Sequence, residues 1–202
     1  MMLICLHGSS GSPEEWGTFP QAVAPDMGIH RLKGEIADNG GHTFFSKRAD
    51  RSLDPAEMVL RADQLAARIA ALGARSDAPL LLGFSSGATI AAAAIQRHPA
   101  LAAGAILLRP EPPFADPPLD RLEGLPILIL AGAHDERRAP DAADVLARQL
   151  AAAGAAVELQ TLDIGHAWEP DGLDLVLARD WLSRLAIDLE NSQKKQRLGA
   201  RS

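Results

Sequence analysis

Ala78-Pro79-Leu80-Leu81-Leu82-Gly83-Phe84-Ser85-Ser86-Gly87 decides the reading of this chain, together with the small-residue run Ala88-Thr89-Ile90-Ala91-Ala92-Ala93-Ala94 that follows it. The apolar residues predict a buried strand, the run after Gly87 predicts a helix, and a serine stands at the apex of the turn between them. Such a turn holds the serine in a strained backbone conformation, so the positions two residues to either side must be small, and both are Gly. The hydroxyl is thereby held clear of the sheet, beside the positive end of the helix that follows. A bare Gly-x-Ser-x-Gly occurs often by chance; set between a strand and a helix it is specific.

Further pieces follow in a set order. The apolar run Pro126-Ile127-Leu128-Ile129-Leu130-Ala131 leads into Gly132-Ala133-His134-Asp135, and Val157-Glu158-Leu159-Gln160-Thr161-Leu162 leads to Ile164-Gly165-His166. Asp135 and His166 therefore each sit just past a strand, in the order Ser, Asp, His that a nucleophile-elbow hydrolase requires. Upstream, Met2-Leu3-Ile4-Cys5-Leu6 runs into His7-Gly8-Ser9-Ser10-Gly11, where an oxyanion loop belongs. His166 would take the Ser85 proton during attack on a carbonyl carbon, and Asp135 would orient the imidazole. The backbone N–H groups of Ser9 and Ser86 are the expected oxyanion donors.

Position discriminates among the competing assignments. Ser86 lacks the glycine spacing, and Glu111, at the end of the preceding strand, is an alternative acid. Among His7, His30, His42, His98, His134 and His166, only His166 follows the last strand. His7 reads as a brace for the loop after the first strand.

Composition narrows the function classes. The 202 residues suit one domain, and 47% apolar with 23% charged residues is ordinary for a globular protein. A net charge of −6 without a basic stripe argues against a nucleic-acid partner. No apolar stretch reaches membrane-spanning length, and no signal-peptide pattern opens the chain. Cys5 is the only cysteine, which excludes an internal disulfide and points to a reducing, cytoplasmic location. It reads as a core residue rather than a nucleophile. The histidines form no ligand cluster, so no metal and no cofactor is expected.

Strand and helix signals alternate, as in a parallel sheet covered on both faces. Strands are expected near 2–6, 29–33, 79–84, 104–109, 126–131 and 157–162. Ser12-Pro13-Glu14-Glu15 predicts a helix start with a capping box, and Asp54-Pro55-Ala56-Glu57 predicts another. The helix after Asp54 would set Met58, Ala62, Leu65, Ile69 and Leu72 on one face and end at Gly73. A last helix is expected over 171–187, so that 1–188 forms the domain and 189–202 a disordered tail. Residues 34–54 and the proline-rich 109–124 read as long loops at the ligand-binding edge of the sheet. Seven of the eight aromatic residues fall near that edge. Trp16, Phe44, Phe45, Phe114 and Trp168 are therefore expected to line an apolar pocket for an acyl or aromatic ester group.

Leu6-His7-Gly8, Asn39-Gly40-Gly41 with Phe44-Phe45, Gly83 through Ala88, Gly104 through Pro110, Gly132 through Asp135 and Gly165-His166 span nearly the whole chain. In these pieces the chain resembles the phospholipase/carboxylesterase family of small bacterial α/β-hydrolases, in the branch of esterases related to dienelactone hydrolases and hydroquinone-stress hydrolases. The resemblance implies metal-free hydrolysis of a small-molecule carboxylic ester, and a homodimer as a frequent assembly. Family members usually carry an antiparallel strand pair before the His-Gly strand, and this chain starts on that strand. The expected fold is therefore a trimmed α/β-hydrolase fold of about six parallel strands in order 2-1-3-4-5-6, with helices on both faces. Two alternatives stay open at this point: a ligand-binding protein that has lost the chemistry, and a thioesterase or lactonase using the same triad.

Overall fold

Leu3, Ile4, Cys5 and Leu6, and Leu80, Leu81 and Leu82, are almost fully buried, because the strands they form lie mid-sheet with both faces covered. The structure, a computed structural model, describes residues 1–72, 78–117, 121–169 and 171–199, with side chains up to residue 186. In chain order the strands are β1 (Met2–Leu6), β2 (Gly28–Leu32), β3 (Ile36–Asp38), β4 (Gly41–Thr43), β5 (Leu80–Phe84), β6 (Gly104–Leu108), β7 (Pro126–Gly132) and β8 (Ala156–Leu162). The α-helices are α1 (Phe19–Val23), α2 (Pro55–Ala71), α3 (Ser86–Arg97), α4 (Ala142–Ala152) and α5 (Leu173–Gly199). Six strands form one parallel sheet in the order β2-β1-β5-β6-β7-β8. Setting aside the small β3–β4 pair, this is the expected order 2-1-3-4-5-6. It is a trimmed α/β-hydrolase fold.

Alternate residues of each strand feed two cores. Ile4, Leu6, Leu81, Leu107 and Ile129 pack with Met58, Ala62, Leu65 and Ile69 of α2, the alanines of α3, and Leu146 and Leu150 of α4. Leu3, Cys5, Leu82, Ile106 and Leu130 face Trp16, Val23, and Ala178, Trp181 and Leu182 of α5. The fully buried run Ala91–Ala94 lets α3 lie close between the sheet and α2. Burial pushes the Cys5 thiol up to about 12, so it stays protonated and inert.

Several expectations change in detail. Residues 34–54 are not a structureless loop: β3 and β4 pair antiparallel through a tight turn. Asn39 (φ 44°) and Gly40 (φ 86°) both adopt the left-handed conformation that a two-residue hairpin turn demands. Asp54 caps α2 as expected, accepting from the backbone N–H groups of Ala56 (2.9 Å) and Glu57 (3.4 Å). Ser12 makes no side-chain cap, and Pro13–Trp16 is a short 3-10 turn rather than an α-helix. α5 runs on to Gly199 instead of ending near 187, through a segment rich in Gln, Lys, Arg and Glu that favours helix. Gly73 and Pro118 lie outside the described residues.

Candidate active site

The site is assembled from loops that leave the C-terminal ends of the parallel strands. Ser85 follows β5 with φ 55° and ψ −115°, a left-handed backbone conformation that a non-glycine residue holds only under constraint. The constraint is visible. The Ser85 N–H donates to Leu108 O at 2.8 Å, and its carbonyl accepts from the Thr89 N–H (3.0 Å) and hydroxyl (3.1 Å). The flanking glycines are sterically required. A Cβ on Gly83 would lie 2.5 Å from the Ala88 Cα, and one on Gly87 would run into the Leu6 and His7 carbonyls.

Asp135 and His166 are brought together by a tie between the loops after β7 and β8. The Ala133 N–H donates to Leu162 O (2.8 Å) and the His134 N–H to Ile164 O (3.0 Å). Gly132 permits that approach, since a Cβ there would sit 2.5 Å from Ile164 O. The result is a continuous line of hydrogen bonds. Ser85 Oγ lies 2.7 Å from His166 Nε2, and His166 Nδ1 lies 2.7 Å from Asp135 Oδ2. Both the His166 and Asp135 side chains are only 6% exposed. Burial lowers the His166 pKa; the hydrogen bond to Asp135 opposes this, and the nearby Arg138 charge adds to the lowering.

Arg138 is the participant that motif reading missed. Its Nη2 donates to Ser85 Oγ at 3.2 Å, its Nη1 to Glu111 Oε1 at 2.8 Å and its Nε to Arg109 O at 3.1 Å. A donor on Oγ from Arg138 directs the serine proton toward His166. Nε2 is then the acceptor, and Nδ1 donates to Asp135. Glu111, the alternative acid, instead accepts from Arg138 and from Lys47 Nζ (2.6 Å).

His7 braces the loop after β1. Its Nδ1 donates to Gly8 O at 2.7 Å and its Nε2 accepts from the Gly34 N–H at 2.9 Å. That arrangement needs the neutral ring, in keeping with a pKa lowered chiefly by burial. Gly11 and His42 exchange two backbone bonds (3.1 and 2.9 Å), which fastens the β3–β4 hairpin to the same loop. Among the described residues, the N–H groups of Ser9 and Ser86 have no hydrogen-bond partner within the protein. They are free to serve a ligand.

A cleft of about 590 Å³ opens over Ser85, walled by Ser9, Ile36, Asp38, Thr43, Phe45, Lys47, Arg51, Ser86, Glu111, Arg137 and His166 among others. That volume suits a small ligand. A surface groove of similar size beside Arg121, Arg148 and Gln149 contains no nucleophile. Of the five aromatic residues expected at the pocket, Phe45 borders the cleft, although it is itself only 2% exposed and packed in the α2–α3 core. Phe44 and Phe114 are buried in the α2–α3 core, with Phe44 against the His7 ring at 4.9 Å. Trp16 is buried in the opposite core, edge-on to Trp168 at 5.5 Å. Trp168 stacks on Phe84 at 4.6 Å, and Phe84 lies 5.7 Å from His166, so this aromatic group flanks the histidine rather than the cleft. The aromatics are at the anticipated edge of the sheet, but most turn inward because their large apolar area is worth more when buried. The cleft lining is polar and charged, in place of the apolar pocket expected.

Similar proteins share this fold. The carboxylesterase of Mesorhizobium loti superposes with a TM-score of 0.83 at 27% identity, covering 90% of this chain and 88% of that one. The fold is that of the small bacterial carboxylesterases. A Bacillus cereus carboxylesterase has the same fold, with a TM-score of 0.85 at 23% identity over 91% of this chain and 87% of its own. In sequence, the Bacillus subtilis protein named "Putative hydrolase MhqD" is 27% identical over 190 residues, 92% of this chain and 94% of that one. No protein-family model matches the chain. Together these relatives support an esterase-type hydrolase. Among the described residues, no helix is long and apolar enough to cross a membrane, and no group of three or more His, Cys, Asp or Glu is placed to hold a metal ion.

Proposed function

We propose that this chain is a serine hydrolase that cleaves small carboxylic esters through an acyl-enzyme, with Ser85 as nucleophile, His166 as general base and acid, and Asp135 as its orienting partner. The observation that carries this reading is the line of two 2.7 Å hydrogen bonds from Ser85 through His166 to Asp135, aimed into a cleft from a strained turn. Ser85 Oγ attacks the ester carbonyl carbon while its proton passes to His166 Nε2. The imidazolium so formed is stabilised by Asp135 and returns the proton to the departing alcohol. Water then repeats the sequence on the acyl-enzyme, releasing the acid and regenerating Ser85.

The unpartnered N–H groups of Ser9 and Ser86 are the proposed oxyanion donors. Each is worth about 3–4 kcal/mol to the transition state in sites of this kind. Arg138 has a positioning role: it holds the serine proton on the His166 side and lowers the base's pKa. Phe45 supplies an apolar wall for a short acyl chain, and Trp168, 37% exposed beside Phe84, offers a face to an aromatic group near His166.

The test is pre-steady-state hydrolysis of p-nitrophenyl acetate. A burst of p-nitrophenolate stoichiometric with enzyme, absent in Ser85→Ala, is the expected result. Full turnover by Ser85→Ala would remove the assignment.

A further inference from the structure

The cleft has a sign. Lys47, Arg51, Arg137 and Arg138 line it against only Asp38 and Glu111, in a chain whose net charge is −6. Two of these cations are paired: Lys47 and Arg138 share the single carboxylate of Glu111, at 2.6 and 2.8 Å. The other two are not. Among the described residues, the guanidinium groups of Arg51 and Arg137 make no hydrogen bond or ion pair, yet both line the cleft. Their backbones are nevertheless held in place. Arg51 has φ 67° in a tight turn closed by Arg48 N–H to Ser52 O (3.0 Å) and Arg51 N–H to Arg48 O (2.9 Å). Holding a non-glycine residue there costs about 1 kcal/mol or more. The Arg137 N–H donates to Asp135 Oδ1 at 3.0 Å, which fixes that residue beside the acid.

Resting on the serine-hydrolase reading, we propose that the substrate is an ester carrying a free carboxylate, and that the unpaired guanidinium groups of Arg51 and Arg137 receive that carboxylate. Guanidinium fits the role because its planar fork matches a carboxylate's two oxygens. The local field favours it as well. The Arg138 pKa is lowered first by burial, Glu111 and Asp135 oppose that, and the like charges of Arg137 and Arg51 lower it further. An anion seated among the three arginines relieves this repulsion. A neutral ester leaves it in place.

The test compares monomethyl glutarate with its neutral counterpart, in which the free carboxylate is replaced by a primary amide, following acid release by pH-stat. Two partly exposed ion pairs predict a preference for the acid of about tenfold in kcat/KM, carried mainly by KM. Because the arginines are exposed, the preference shrinks as salt is added. In Arg51→Gln/Arg137→Gln, shown to be folded by its thermal melt, the ratio falls to about one. A wild-type ratio near one, with Ser85-dependent hydrolysis of the amide intact, overturns the carboxylate proposal and leaves the hydrolase reading standing. A double variant that keeps the full preference also overturns it. Absence of Ser85-dependent turnover of either ester also overturns the carboxylate proposal, and the hydrolase reading then stands or falls on the p-nitrophenyl acetate burst.

Discussion

Asp174→Ala tests how the site is anchored. Asp174, in the first turn of α5, accepts from Arg109 Nη1 (3.0 Å), Arg109 Nη2 (2.9 Å) and the Glu169 N–H (2.9 Å). The Arg109 and Asp174 side chains are 0% and 2% exposed. This bidentate pair ties the loop after β6 to the segment that follows His166. Truncating Asp174 leaves a fully buried guanidinium whose remaining acceptor is Leu130 O, at 3.0 Å. Stranding one partner of a buried pair costs about 3–5 kcal/mol. That is a large part of the roughly 5–15 kcal/mol by which a domain is stable. At about 2–4 °C per kcal/mol for a chain of this size, the melting temperature should fall by roughly 6–20 °C. Urea unfolding followed by circular dichroism gives the free energy directly, and Arg109→Met/Asp174→Leu should recover most of the loss, because two apolar residues leave no stranded charge. A cost under about 1 kcal/mol for Asp174→Ala, within the range of an exposed pair, would refute the burial argument.

Three further outcomes are expected. Gly87→Ala forces a Cβ into the Leu6 and His7 carbonyls and should destabilise the protein by at least about 2 kcal/mol with loss of ester turnover; a wild-type melt would contradict the elbow geometry. Because the base must be neutral and burial holds the His166 pKa below its ordinary value, kcat/KM should fall as pH drops through a midpoint below about 6.5. Arg138→Gln should move that midpoint upward, and an unmoved midpoint would show that the Arg138 charge is not felt at His166. Across p-nitrophenyl esters of increasing acyl length, a cleft of about 590 Å³ should favour short chains; Phe44→Ala and Phe45→Ala should both lower stability, since both residues are buried, but only Phe45→Ala should shift the profile.

How much was legible depended on whether the signal was local. The elbow could be read because two glycines, an apolar run and a small-residue helix are contiguous, and each has a steric reason. The parallel sheet could be read from continuously apolar strands alternating with helices, while the strand order came from the resemblance to the small bacterial hydrolases. The β3–β4 hairpin was missed and 34–54 read as a loop, because the polar residues around Asn39-Gly40 masked two strands of three residues each. The facing of loop side chains was not legible. Adjacent Phe44 and Phe45 are both buried in the α2–α3 core, but only Phe45 also borders the cleft, and sequence spacing alone does not say which does. Arg51, Arg137 and Arg138 drew no reading from the sequence because nothing periodic marks a loop residue that borders a cleft. The Arg109–Asp174 pair spans 65 positions and leaves no local trace.

In the proposed mechanism Ser85 is the nucleophile, activated by His166 and Asp135. Its most direct test is covalent: treat the protein with a fluorophosphonate and locate the adduct by peptide mass spectrometry. One adduct per chain is expected, on Ser85, with formation slowed by orders of magnitude in His166→Ala. An adduct on Ser86 or Ser9, or labelling of Ser85 at an undiminished rate in His166→Ala, would contradict it.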